Sequence, residues 1–292
     1  MNGILLVDKP SGWTSNDVVQ KLRGLLHERR IGHAGTLDPM ATGLLTVFVG
    51  RATRAVEFAE ADAKCYRAAL RLGLTTDTQD VTGTPLRETD ADVTREALEK
   101  ALSRFRGEIR QVPPMYSAVK VNGERLYKLA RRGETVERAA RTVTIELLDL
   151  LEREGEDWIL DIRCSKGTYI RTLCQDIGDA LGCGGCMAAL RRLEAGAFTV
   201  EEAHSLEEIA QAASEGRAET LLLPVDTLFR GVPAETVGAA AEKKIRNRNT
   251  FRTMLPDGAL RLYSETGEFL ALACAENGVC RTIKSFFEVE IT

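Results

Sequence analysis

A chain of 292 residues, 44% hydrophobic and 28% charged, has the length and composition to bury a sizeable core without disulfides or metals. No apolar run reaches the roughly 18 residues of a membrane-spanning helix, and seven cysteines without a disulfide rhythm point to a reducing cytoplasm. The formal net charge of −4 gives no hint of a polyanionic partner, so that question passes to how the charges are distributed.

The opening residues Asn2 to Asp8 lack a basic start and meet an acid after a short apolar run, which reads as a buried strand over 3–8 rather than a signal peptide. Lys9-Pro10-Ser11-Gly12 forms a turn, and Ser15 is placed to cap a helix whose apolar face is Val18, Val19, Leu22, Leu25 and Leu26. Residues 31–43, rich in Gly and Thr, read as a loop that leads into a short strand from Leu44 to Val49. Alternation of Tyr66, Ala68, Leu70 and Leu72 with polar or small residues predicts a half-buried strand. Thr94 opens a helix carrying Leu98, Leu102 and Phe105.

Residues 110–141 begin near Pro113-Pro114 and show weak periodicity apart from a short helix around 125–132, as expected of an excursion from the core. Strands follow at 142–150 and 158–164, then a helix over 170–181 and a strand over 187–193. Ser205-Leu206-Glu207-Glu208 matches a capping box before another helix. Beyond a boundary placed near 230, the sequence predicts a basic helix from Glu235 to Asn247 and short strands at 259–263 and 268–274. Strands mixed irregularly with helices argue an α+β fold rather than a βαβ relay.

Charge is segregated along the chain. Between Arg104 and Arg141 ten basic residues face four acids. Further basic clusters are Lys21, Arg23, Arg29 and Arg30, and Lys243, Lys244, Arg246, Arg248 and Arg252. Charge alone leaves polyanion binding and solvated helix faces equally open.

Nucleotide-cofactor signatures are missing: there is no G-x-x-x-x-G-K-[ST], and Gly182-Cys183-Gly184 is followed by Met187 where a dinucleotide fingerprint needs glycine. Cys183-Gly184-Gly185-Cys186 has the spacing of half a zinc site but no second ligand pair, and it reads as small residues packed at a helix–strand turn. No metal and no cofactor are expected. The most informative segment is Gly32-His33-Ala34-Gly35-Thr36-Leu37-Asp38-Pro39-Met40-Ala41-Thr42-Gly43. Its glycines let backbone turn sharply and approach a ligand, and Pro39 pushes Asp38 toward an extended conformation that projects the carboxylate. The same pattern fits an ordinary turn aspartate before proline.

This segment resembles the signature loop of the bacterial tRNA pseudouridine-55 synthase family, G-H-x-G-x-L-D-P-x-A-T-G. Four more segments resemble that family in the same order: Asp8 to Ser15, Lys64-Cys65-Tyr66 with Leu72-Gly73, Gln111 to Lys120, and Cys164 to Thr172. The resemblance implies a pseudouridine synthase fold, a mixed and largely antiparallel sheet with flanking helices over 1–229. Within it, 110–141 would be a thumb-like RNA clamp. More weakly, 230–292 resembles a small β-rich PUA-type RNA-binding domain.

Carried over by position, the resemblance implies that Asp38 is the catalytic aspartate, that Tyr66 packs against the target base, and that Arg171 pairs with Asp38. His33 would fill the space left by the flipped nucleotide, and Tyr169 and Leu190 would line the substrate pocket, with Gly35 and Thr36 in the same loop. Lys9 is counted on the substrate side, with the role of holding the catalytic loop favoured over touching RNA. Lys120, Arg125, Lys128, Arg131, Arg132 and Arg141 would meet the RNA backbone.

The implied chemistry needs no redox or phosphate energy, which suits a chain without cofactor motifs. An ionised carboxylate is required, and burial under a base would raise an aspartate above its usual value of about 3.9 unless an arginine opposes the shift. Flipping the base costs roughly a few kcal/mol, of which an aromatic face recovers about 1–3 kcal/mol. The expected partner is the T-arm stem-loop of tRNA, acted on by a monomer that needs no protein partner and no membrane. Two alternatives are an RNA-binding or tRNA-folding protein, and a synthase with another RNA target reached through a guide RNA.

Overall fold

Thr42–Val49 forms a strand buried at every position but the first, the pattern of a strand covered on both faces. The computed structural model, which describes residues 1–59, 63–121 and 123–287, shows what covers it. Leu45, Val47 and Val49 face Leu5 and Val7 of strand Gly3–Lys9 and the helices Ser15–Leu26 and Leu206–Ser214. Leu44 and Phe48 turn the other way, toward Ile4, Leu6, Phe198, Val225 and Phe229.

One edge of this strand pairs antiparallel with Gly3–Lys9 along its whole length. The other edge is divided: Ile31–Ala34 pairs with its far half, from Thr46 to Val49, and Gly185–Ala195 runs parallel to it only at Thr42 and Gly43. The segment 35–41 leaves the sheet where these two neighbours part. From there the sheet continues through Gly185–Ala195, Lys64–Leu72, Asp157–Cys164, Arg141–Glu154 and Gly107–Gln111, each antiparallel to the next. With Phe198–Thr199 it counts nine strands, mixed and largely antiparallel as expected.

Helices Arg95–Leu102 and Ile170–Leu181 cover one face, burying Leu98, Leu102, Leu173 and Ile177 against Leu70, Leu160 and Met187. Each buried aliphatic side chain contributes roughly 1.5–3 kcal/mol. A second, five-stranded sheet runs in the order Ala234–Thr236, Gly258–Tyr263, Phe269–Glu276, Val279–Ser285, Phe251–Arg252. Leu272 of this sheet and Phe286, just past its strand Val279–Ser285, enter the core beside Phe229, and Lys284 Nζ lies 2.5 Å from Glu57.

Four expectations are corrected. Residues 31–43 are not all loop, because Ile31–Ala34 satisfies its backbone groups on the open half-edge of Thr42–Val49. Thr14 caps the first helix in place of Ser15, with Asp17 closing a capping box. The helix expected over Glu235–Asn247 spans only Ala239–Arg246, since Glu235 lies in a strand paired with Gly258–Tyr263. The excursion is shorter than 110–141: Arg110, Gln111 and Arg141 belong to paired strands of the main sheet. Residue 122 of that excursion and residues 288–292 of the expected C-terminal domain lie outside the described residues.

Candidate active site

Two apolar anchors determine how the loop after Ala34 sits. Leu37 and Ala41 are both buried in the main core, and Asp38, between them, is held at its rim. Ser15 Oγ accepts the Leu37 N–H at 2.9 Å and lies 3.2 Å from its carbonyl oxygen. Lys9 has no exposed surface, and its ammonium donates to the carbonyls of Pro10 (2.9 Å), Trp13 (2.6 Å) and Pro39 (3.2 Å). Burial pulls the Lys9 ammonium down to about 8, with the nearby Asp38 charge opposing the shift. Lys9 thus ties the turn after the first strand to the residue that follows Asp38.

The other end of the loop depends on close backbone approach. A Cβ on Gly43, whose φ is +97°, would collide with the Arg192 carbonyl oxygen, so only glycine fits there. Gly35 (φ +68°) accepts from Arg192 Nη2 at 3.0 Å through its carbonyl, and Thr36 is exposed. Arg192 is one of the largest fully buried side chains, and its Nε donates to Leu44 O at 2.6 Å.

Asp38 meets Arg171 in a two-point pair, Nε to Oδ2 at 2.9 Å and Nη2 to Oδ1 at 3.2 Å. About a third of the Asp38 side chain reaches solvent, against 7% for Arg171. Arg171, in the first turn of helix Ile170–Leu181, also donates to Thr78 O at 3.0 Å and Tyr116 O at 2.9 Å. A second buried carboxylate, Asp80, lies 3.8 Å from Arg171 Nη1. Asp80 is held by Thr78 Oγ (2.9 Å), Thr82 Oγ (2.5 Å) and the Thr82 N–H (3.0 Å). Burial raises the Asp38 carboxyl above the usual carboxylate range; Arg171 opposes this and the Asp80 charge adds to it. A buried pair of this kind contributes little net stability, but removing one partner leaves an uncompensated charge.

Tyr66 is the third residue of strand Lys64–Leu72, packed against the main core. Burial raises its phenol, Arg192 opposes the shift, and Asp38 is close enough to add to it. Leu190 pairs with Ala68 one strand over and is 8% exposed. His33, in strand Ile31–Ala34, is pulled down by burial and by the charge of Arg192, and its buried Nδ1 has no partner among the described residues. Tyr169 precedes the helix that carries Arg171.

The structure therefore brings Asp38, Tyr66, Arg171 and Lys9 together, with Arg192 alongside His33 and Tyr66. The basic residues of the excursion are not part of this cluster. Lys120 and Arg125 face each other across a two-stranded ladder, and Lys128 is exposed on helix Leu126–Arg131. Arg131 lies over the Tyr127 ring, and Arg132 is paired with Glu124 and Glu134. Arg141 stacks on the Tyr169 ring at 4.5 Å.

Sequence reasoning missed Asp80, Arg192 and Gln111. Arg192 was within reach, because strand periodicity places it on the face of Leu190 two residues earlier. Asp80 sits in a Thr- and Asp-rich turn that resembles any surface turn, and Gln111 stands only as the first residue of the segment Gln111 to Lys120, with no role of its own.

The family model described as "TruB family pseudouridylate synthase (N terminal domain)" matches residues 23–170, which include the Asp38 loop and the Tyr66 strand. The chain belongs to the TruB family of pseudouridylate synthases. The model for the "tRNA pseudouridylate synthase B C-terminal domain" matches residues 171–230. The chain is 45% identical to the tRNA pseudouridine synthase B of Ralstonia nicotianae, over 96% of this chain and 93% of that protein. It is 50% identical to that of Pseudomonas aeruginosa, over 93% of this chain and 91% of the relative. Among solved structures, a Cbf5-Nop10-Gar1 complex is similar at a TM-score of 0.74 and 25% identity, covering 98% of this chain and 84% of the other. An H/ACA RNP bound to a substrate RNA containing 2'-deoxyuridine shares the fold at 0.74 and 23%, covering 98% and 85%. The likeness to these solved structures spans both sheets of this chain, whereas the two family models end at residue 230.

Proposed function

We propose that this TruB-family chain isomerises uridine 55 in the T-arm loop of tRNA to pseudouridine, as a monomer without cofactor. The observation that carries the residue assignment is the two-point pair of Asp38 and Arg171 at the rim of the core. The relatives named tRNA pseudouridine synthase B support tRNA over a guide-dependent target. In the reaction the N1–C1′ bond breaks, uracil turns, and C5 bonds to C1′; the hydrogen of C5 leaves and N1 gains a proton.

Asp38 is the carboxylate of this chemistry, either attacking the sugar or removing one of its protons, and both roles need it ionised. Arg171 keeps it so despite burial, because a guanidinium stays charged and matches a carboxylate in shape. Tyr66 offers its ring to the flipped base, and Tyr169 and Leu190 close the pocket around it. His33, neutral near pH 7, fills the gap left in the RNA stack. Lys9 holds the loop, with Gly35 and Thr36 lining the approach. Lys120, Arg125, Lys128 and Arg131 supply phosphate contacts from the excursion, and residues 230–292 act as a PUA-like RNA-binding unit.

The test is tritium release from unmodified tRNA carrying uridine labelled at carbon 5, with wild type and Asp38→Asn side by side and no cofactor added. Release by wild type alone, with RNA binding kept by the variant, supports the assignment. Activity retained by Asp38→Asn overturns it. Tight tRNA binding without release from either protein would favour an RNA-folding function.

A further inference from the structure

Gln111 ends strand Gly107–Gln111 just before the excursion, and Arg141 begins strand Arg141–Glu154 just after it. The two are register partners in the antiparallel ladder, so they close the neck of the excursion and project to the same side. Both reach Tyr169. Gln111 has no exposed surface; its Oε1 accepts the Tyr169 N–H at 3.0 Å and its Nε2 donates to the Tyr169 carbonyl at 3.2 Å. Arg141 lays its guanidinium over the Tyr169 ring at 4.5 Å and donates through Nη2 to the Gly167 carbonyl.

Only an amide can make the Gln111 contact, because the peptide of Tyr169 presents one donor and one acceptor at once. A glutamate would set its charge against the carbonyl, and an aliphatic chain would leave the buried N–H unpaired. Arg141 is likewise committed. Its Nε is buried without a partner among the described residues, which suits a planar group stacked on an aromatic face better than one fanned toward a phosphate. Tyr169 in turn accepts the first bond of the helix, from the Leu173 N–H at 3.0 Å, and that helix carries Arg171 two residues on.

We propose that Gln111 and Arg141 are positioning residues: they lock Tyr169 from its backbone and its ring, and so couple the neck of the 112–140 excursion to the Asp38–Arg171 pair. Movement of the excursion onto RNA is thereby transmitted to the pocket wall and to the catalytic pair. Arg171 reinforces the link from the other side through its bond to Tyr116, within the excursion. This inference rests on the pseudouridine synthase assignment above and goes beyond it in naming what aligns the pocket.

The experiment measures single-turnover tritium release at saturating labelled tRNA, with tRNA Kd by filter binding and the thermal midpoint, for wild type, Gln111→Met and Arg141→Lys. Misplacement of a pocket by about 1 Å can cost on the order of 100-fold, so a fall of roughly 10- to 100-fold is expected for Gln111→Met. Arg141→Lys, which keeps the charge but loses the planar stack, should fall several-fold, and both should hold Kd within about twofold. A phosphate-contact role predicts the reverse for Arg141→Lys, an unchanged rate at saturation, and that result overturns the proposal. If Gln111→Met fails to fold, the Arg141→Lys rate decides alone. A wild type that binds tRNA without releasing tritium defeats the assignment itself, whereas wild-type turnover with unchanged variant rates defeats only the coupling.

Discussion

Arg171 holds Asp38 through two nitrogens, at 2.9 and 3.2 Å, while the same guanidinium spans to Thr78, Tyr116 and Asp80. One buried cation therefore organises three segments distant in sequence, and its loss has consequences that can be separated.

Replacing Arg171 with Met removes the charge that opposes burial of Asp38. The Asp38 carboxyl is already raised, and it rises further when burial and the Asp80 charge are opposed by the more weakly acting Lys9 ammonium alone. A carboxylate works above its pKa and fails as pH falls through it. The acid limb of the activity profile therefore lies above the ordinary carboxylate range in wild type and moves to higher pH in Arg171→Met. Tritium release measured from pH 5 to 9 checks the direction, and an unmoved limb would detach Arg171 from the ionisation of Asp38.

Lys9→Met leaves the carbonyls of Pro10, Trp13 and Pro39 without their ammonium donor. The Pro39 carbonyl keeps the Gly12 N–H at 2.8 Å, so the Pro10 and Trp13 carbonyls are the two left unpaired among the described residues; at about 1–3 kcal/mol each, the variant should lose on the order of a few kcal/mol in urea unfolding. The pH dependence carries a second signature. Because the folded Lys9 is lowered to about 8, the unfolded chain binds more protons between there and the ordinary 10.5, and stability from this group rises with pH across that window. Lys9→Met abolishes that rise, and unfolding at pH 7.5 and 10 compares the two proteins directly.

Tyr66→Ala removes the aromatic face proposed for the flipped base. Base–aromatic stacking is worth about 1–3 kcal/mol, so activity should fall roughly 5- to 150-fold, with Tyr66→Leu recovering part of the packing but not the stack. Single-turnover rates for the three proteins test this. Equal rates for Tyr66→Leu and wild type would reduce Tyr66 to a strand residue of the core.

Exposed Lys120 and Arg125 face each other across their ladder, while Arg132 is already paired with two glutamates. Replacing Lys120 or Arg125 with Ala should lower the salt slope of tRNA binding by about 1 for each phosphate that is no longer neutralised. Arg132→Ala should change it less. Filter binding over a range of salt concentrations distinguishes them, and a larger effect at Arg132 would mean that its ion pairs open on RNA.

What the sequence determined by itself is local or written in contiguous motifs. The apolar period of Ile170–Leu181, the capping box at Ser205 and the alternation of Lys64–Leu72 each depend on neighbours within a few residues. The loop carrying Asp38 was legible for the same reason, since its glycines and Pro39 sit side by side. Tertiary structure alone decided that Ile31–Ala34 is a strand, because the edge it pairs with is left open only by the distant course of Gly185–Ala195. It also decided that Asp80 joins Arg171 and that Gln111 meets Tyr169 across 58 positions of chain. Such buried polar groups need partners supplied by other strands and helices, and a partner set by folding leaves no periodic trace in the residues that wait for it.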